Sequence, residues 1–153
     1  MSDTWATIRT AVVAKAAAST YMAAAGLRSA DASPDAPAAG ALPALKFQNP
    51  IFTPLDQQNA YVSEYVLEFP FELLVPVPSG QRLSGPIAAD IMRAMQVEWR
   101  SGFKLGLDGS LDIVDSRVGG AAPGLSVNAE TGYDGYSGSV LVQVYETHSA
   151  RTP

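Results

Sequence analysis

Residues 61–75, "YVSEYVLEFPFELLV", alternate. Tyr61, Ser63, Tyr65, Leu67, Phe69, Phe71, Leu73 and Val75 are apolar except for one serine, whereas the intervening positions carry Glu64, Glu68 and Glu72 among Val62, Val66 and Leu74. A period of two sends successive side chains to opposite faces, so the stretch predicts a long strand with one buried and one mostly wet face. Pro70 has no N–H to give a ladder, which predicts an edge strand or a bulge there.

Downstream, "VPVPSGQRLSG" closes the strand as a loop, and Ser84, Gly85 and Pro86 open a helix with a cap residue followed by a first-turn proline. Ile87, Ile91, Met95 and Trp99 recur every four residues, widened by Ala88 and Met92, with Arg93 and Arg100 on the other side. Gly102 stops this helix. Two strands follow, at 109–118 and 139–147. The glycine-rich excursion between them holds room for a short strand around Leu125 to Asn128. Gly132, Gly135 and Gly138 read as turn positions needing positive φ, with Tyr133 and Tyr136 as interface anchors or simply as cover over the turn.

Upstream, residues 4–25 predict a helix capped by Asp3 and stopped at Gly26, with Trp5, Ile8, Val12, Ala16 and Ser19 on one face. Residues 28–44 are small and proline-rich without periodicity, which predicts a flexible loop or linker. "LKFQNPIFTP", residues 45–54, gives a short strand cut by Pro50 and Pro54. Neighbouring strands around one amphipathic helix favour an α+β fold, a single domain over 1–153. Its mostly antiparallel sheet packs against that helix plus the N-terminal one.

The chain has no cysteine, which excludes thiol catalysis, disulfides and cysteine-ligated metals. Its formal charge of -5 predicts repulsion from nucleic acid rather than grip. No run is long and apolar enough for a membrane span, and the N-terminus lacks the positive start of a signal peptide, so a cytoplasmic protein is expected. The single histidine, His148, follows the last strand and reads as solvated. Glu64, Glu68 and Glu72 stand four residues apart, roughly 13 Å at strand rise, too far for a paired acid and base. They read as a solvated face or an acidic surface toward a partner. Asp108, Asp112 and Asp115 do not fit a calcium loop, and the glycine clusters lack a P-loop lysine. No catalytic, cofactor-binding or metal residue is expected. One reading of a different class makes the aromatic positions Tyr61, Tyr65, Phe69 and Phe71 the lining of a hydrophobic-ligand carrier.

The ending "GYDGYSGSVLVQVYET", residues 132–147, resembles the C-terminus of the lambda-type tail-terminator proteins of long-tailed phages. The order of helix, long strand, single amphipathic helix and two final strands is similar to that family as well. The resemblance implies a homohexameric ring that caps the completed tail tube and offers a docking face to the head-side connector. The tail tube protein, the connector and other copies of the chain would be its partners, with neither catalysis nor cofactor. DNA would pass the channel as a tolerated polymer, and the protein, assembled in the host cytoplasm, would reside in the virion. Tyr133, Tyr136, Gly132, Gly135, Glu64, Glu68 and Glu72 become the candidate interface residues. Another neck or tail-completion protein is the neighbouring alternative.

Overall fold

The computed structural model describes residues 3–33, 35, 37, 39–55, 62–77, 84–102, 104–107, 111–119, 125–128 and 133–147. Two N-terminal helices, α1 (Asp3–Ala17) and α2 (Thr20–Ala24), precede β1 (Ser29–Asp31), β2 (Ala44–Phe47), β3 (Ile51–Pro54) and the long β4 (Val62–Pro76). Then come α3 (Ser84–Ser101), β5 (Leu111–Gly119), β6 (Leu125–Asn128) and β7 (Tyr133–Thr147). The fold is α+β. One seven-stranded sheet runs in the order β1-β2-β4-β7-β5, with β3 beyond β2 along β4 and β6 beside β7. The β1–β2 pair is parallel and the other described pairs are antiparallel.

β4 and β7 form the spine, paired without a register shift from Val62 opposite Thr147 to Pro76 opposite Tyr133. Along β4 the alternation holds as read: Tyr65, Leu67, Phe69, Phe71, Leu73 and Val75 are buried, and Glu64, Glu68 and Glu72 are half-exposed. Ile8, Val12 and Ala16 of α1 and Ala88, Ile91, Met95 and Trp99 of α3 join the same core as Val140, Val142 and Val144 of β7. The helices thus close one face of the sheet. A burial term of about 1.5–3 kcal/mol for each large side chain sets the scale of what holds them there.

The strand with Pro70 is central, not an edge. Gln48 donates its N–H to the Pro70 carbonyl at 2.8 Å. An extended residue points its nitrogen and its carbonyl to the same side, so the Pro70 nitrogen faces the 48–50 connection between β2 and β3. No ladder runs there, and the missing N–H costs nothing. The C-terminal strand is central too, between β4 and β5. β4 therefore lacks the open edge that Pro70 suggests.

The glycine-tyrosine segment is a second correction. It is the first half of β7, not a turn before it. Among the described residues positive φ falls on Gly26, Gly106 and Leu105, not on Gly135 or Gly138. Gly138 lies opposite Phe71, and a β-carbon there would come within 2.5 Å of the Phe71 ring. The glycine makes room for an aromatic side chain folded over its backbone. A β-carbon at Gly135 would meet the Glu72 carboxylate in the same way.

The N-terminal helix divides at Ser19, whose Oγ accepts from Met22 N–H at 3.1 Å and caps α2. Gly26, at φ 111, ends it: its N–H reaches Ala23 O and the Leu27 N–H reaches Met22 O, the paired bonds of a Schellman stop. The 28–44 segment is not loop throughout, since β1 and a 3-10 turn at Ala39–Ala41 lie within it. The Asp3 cap, Tyr61, Asp108, Gly132 and His148 fall outside the described side chains. Among the described residues no helix is long and apolar enough to cross a membrane.

Candidate interaction surface

The sheet face away from the helices carries the row of glutamates. Across the ladder Glu64 faces Tyr145, Glu68 faces Leu141 and Glu72 faces Ser137. β5 extends the row with Asp112 opposite Tyr145 and Asp115 opposite Gln143. Gln143 Nε2 donates to Glu64 Oε1 at 2.8 Å, and Lys46, opposite Glu72, binds Asp31 at 2.7 Å. Carboxylates outnumber cations here, and all but Leu74 and Gly135 of the described β4 and β7 residues on this face keep partial or full exposure. The three glutamates therefore share one face, as the alternation implies.

Glu72 and Tyr133 also meet in a groove of about 620 Å³, lined further by Arg9, Lys46, Gln48 and Asn49. Arg9 bonds Asn49 Oδ1 at 3.1 Å and the Ala32 carbonyl at 3.4 Å, which holds Ala32 to α1. Tyr133 packs beside the small cluster of Leu42, Ala44 and Leu74. It remains a half-buried surface ring. Arg9 and Lys46 escape sequence reading because they lie on a helix and a strand far from the glutamate run.

Tyr136 has a different place. It is 8% exposed and belongs to the main core. Its hydroxyl lies 2.6 Å from Ser84 Oγ, and Ser84 in turn donates to Asp134. Ser84 has one proton, given to the carboxylate, so the tyrosine is the donor in the second bond. The cluster fastens the start of α3 to β7. With its ring inside the subunit, Tyr136 offers a neighbour little surface, and Gly135 is room for Glu72 rather than an anchor. Of the tyrosine pair, Tyr133 alone keeps an outward part.

At the far end of the sheet Trp5, Phe52 and Tyr65 gather, with ring centroids 5.1 Å apart for Trp5–Phe52 and 5.3 Å for Phe52–Tyr65. Tyr65 donates to Glu146 at 2.9 Å, and Thr4 donates to the other carboxylate oxygen at 3.2 Å. Burial, and then the hydrogen bond to Glu146, push the Tyr65 hydroxyl well above its ordinary range. A raised folded value means that stability from this group is whole below about pH 10 and is lost as pH rises beyond it. Urea midpoints measured at about pH 8 and about pH 11 should fall with pH more steeply in the native chain than in Tyr65→Phe. Equal slopes would remove Tyr65 as a source of alkaline sensitivity.

Tyr65, Phe69 and Phe71 are 2% exposed or less and packed among the helices' Ile8, Val12, Ile91 and Met95. The aromatic face is thus filled by the protein's own side chains, which takes away the lining that a ligand carrier would need. Among the described residues no group of three His, Asp or Glu could hold a metal ion. No protein-family model matches the chain, and no curated protein is detectably similar to it.

Proposed function

We propose that the chain is a ring-forming tail terminator of a long-tailed phage, which caps the completed tail tube and presents a docking face to the head-side connector. The observation that carries the reading is the one-sided sheet. The long β4–β7 spine is sealed by helices on one face and left acidic and partly exposed on the other. Such a subunit can build a wall: its fold is complete on the helical side, and its open face and loops are left for contacts. The chain's formal charge of -5 suits a channel through which DNA must slide without sticking. The resemblance of residues 132–147 to the terminator ending and the order of elements support the same reading.

Because the spine strands lie inside the sheet, the subunits meet through faces and loops rather than by extending β4 or β7. Electron microscopy of the protein with tubes of its tail tube protein should show sixfold rings at tube ends. Tubes capped this way should stop growing and join heads. Fivefold rings, or a chain that never associates with tubes, would end the assignment. Rings that bind heads but not tubes would make it a neck protein instead.

A further inference from the structure

β3 and β5 stand at opposite edges of the sheet, and the ladders set them at one level. β3 pairs with Tyr65–Glu68 of β4, those residues face Leu141–Val144 of β7, and these in turn face Ile113–Arg117 of β5. Among the described residues β3 pairs only with β4 and β5 only with β7, so neither outer edge carries a further strand. β3 is exposed at all four positions, with Ile51 at 52% and Phe52 at 40%. An apolar edge strand left bare is a template for pairing with another chain.

Backbone direction selects the residues that can pair. Leu55 donates its N–H to the Glu64 carbonyl at 2.9 Å, so by alternation Ile51 and Thr53 also turn to β4, while Phe52 and Pro54 turn outward. On the other edge, Pro70 points away from β7, which leaves Ser139 opposite it turned toward β5. Arg117 then turns to Leu141, and Val118 turns outward. The bulge between Ile113 and Asp115 limits a regular partner here to Asp115–Gly119, a run about as short as β3. A groove of about 390 Å³ follows the same edge. Asp115 and Arg117 on one face of β5 and Ser116 and Val118 on the other line it, together with Trp99 and Arg100 of α3. A groove that touches both faces of a strand lies beside it, where a neighbouring strand would fit.

We infer that β3 of one copy lies along the outer edge of β5 in the next, with Phe52 opposite Val118 and its ring in the α3–β5 groove. The directions agree. β3 and β7 both run against β4 and β5 runs with it, so β3 laid beside β5 makes an antiparallel pair. The faces agree too: Phe52, across from Leu67, and Val118, across from Val140, both lie on the helical side. The two residues exchange both backbone bonds, and an aromatic ring against a β-branched side chain is a favourable cross-strand pair. Unlike edges repeated head to tail close a ring, with the helices of every copy on one side of the continued sheet and the acidic face on the other. This rests on the ring reading above. To the contacts of faces and loops it adds pairing of the outer strands, and the spine of each copy stays interior.

The chain has no cysteine, so introduced pairs give an unambiguous cross-link. The inferred register sets Thr53 opposite Arg117 of the next copy, a pair without backbone bonds whose α-carbons come to about 4.5 Å, within disulfide range. Thr53→Cys with Arg117→Cys in one chain, assembled on tubes and mildly oxidised, should give a ladder of covalent dimers and higher oligomers on denaturing gels without reductant. Each single variant should stay monomeric on the same gels. Phe52→Ala should remain folded by circular dichroism and weaken ring association by about tenfold or more. Should Phe52→Ala fold poorly, the cross-link, which leaves Phe52 in place, still decides. Rings in which the double variant stays uncross-linked, or in which Arg117→Cys alone gives dimers because two β5 edges meet, overturn the inference and leave the terminator reading standing. A native chain that forms no rings with tubes at any concentration overturns both.

Discussion

Trp99→Ala is expected to lower stability by about 3–5 kcal/mol, near the limit of what a small domain tolerates. The side chain is 2% exposed and lies on the core face of α3 with Ala88, Ile91 and Met95, so its removal leaves a cavity where the helix meets the sheet. Lys15 of α1 stands 5.5 Å from the ring centroid and also pairs with Glu98 at 3.6 Å, so the ring helps to tie α1 to α3. Alanine forfeits both packing and tie.

Trp99→Phe separates two contributions. It keeps most of the apolar volume and deletes the indole N–H, which has no acceptor among the described residues and whose burial unmet costs about 1–3 kcal/mol. Its stability should stay close to that of the native chain, far above the alanine variant. Thermal melts and urea midpoints of the three proteins measure this directly. If alanine leaves the midpoint unmoved, α3 does not cover the sheet through this residue. If phenylalanine falls as far as alanine, the indole N–H contributes a bond that its burial does not reveal.

The elements that were legible in the sequence are those whose signal is internal to one segment. The period of two in 61–75 and the period of four from Ile87 to Trp99 each give the element and its buried face, because a single strand or helix imposes them. Gly26 could be read as a stop because the left-handed residue after a helix is a local demand. Pro70 was not legible in this way. Whether a proline is tolerated in a central strand depends on where the partner strand breaks, and here the break at 48–50 belongs to another part of the chain.

The glycines of 132–138 mislead for a related reason. Their composition says turn, but Gly138 is selected by Phe71 across the ladder and Gly135 by Glu72. That relation becomes visible only once the register of β4 and β7 is known. The candidate surface divides likewise. The glutamate row follows from alternation alone, whereas the Tyr136–Ser84–Asp134 cluster joins the start of α3 to a strand far along the chain. Without the packing of α3 on the sheet, Tyr136 reads as one more surface tyrosine.

Tyr136→Ala should cost the fold rather than the interface, again by about 3–5 kcal/mol. Three losses coincide. A core ring 8% exposed is removed, leaving a void against the sheet side of α3. The hydroxyl that donates to Ser84 at 2.6 Å goes with it, leaving a serine 4% exposed with Asp134 alone. The first turn of α3 then loses half of its fastening to β7, and α3 carries Ile91, Met95 and Trp99 into the core. Tyr136→Phe retains the ring and loses only the hydroxyl, so it should cost about 0.5–1.5 kcal/mol. Tyr133→Ala, at a half-buried position beside Leu42 and Leu74, should cost less than Tyr136→Ala and leave the core intact. Melts of the three variants beside ring formation on tubes distinguish the roles. A Tyr136→Ala chain that melts like the native protein yet fails to form rings would return this tyrosine to the surface. A large drop in melting temperature, with rings formed by whatever protein remains folded, would keep it where the structure has it, as the peg between β7 and the start of α3.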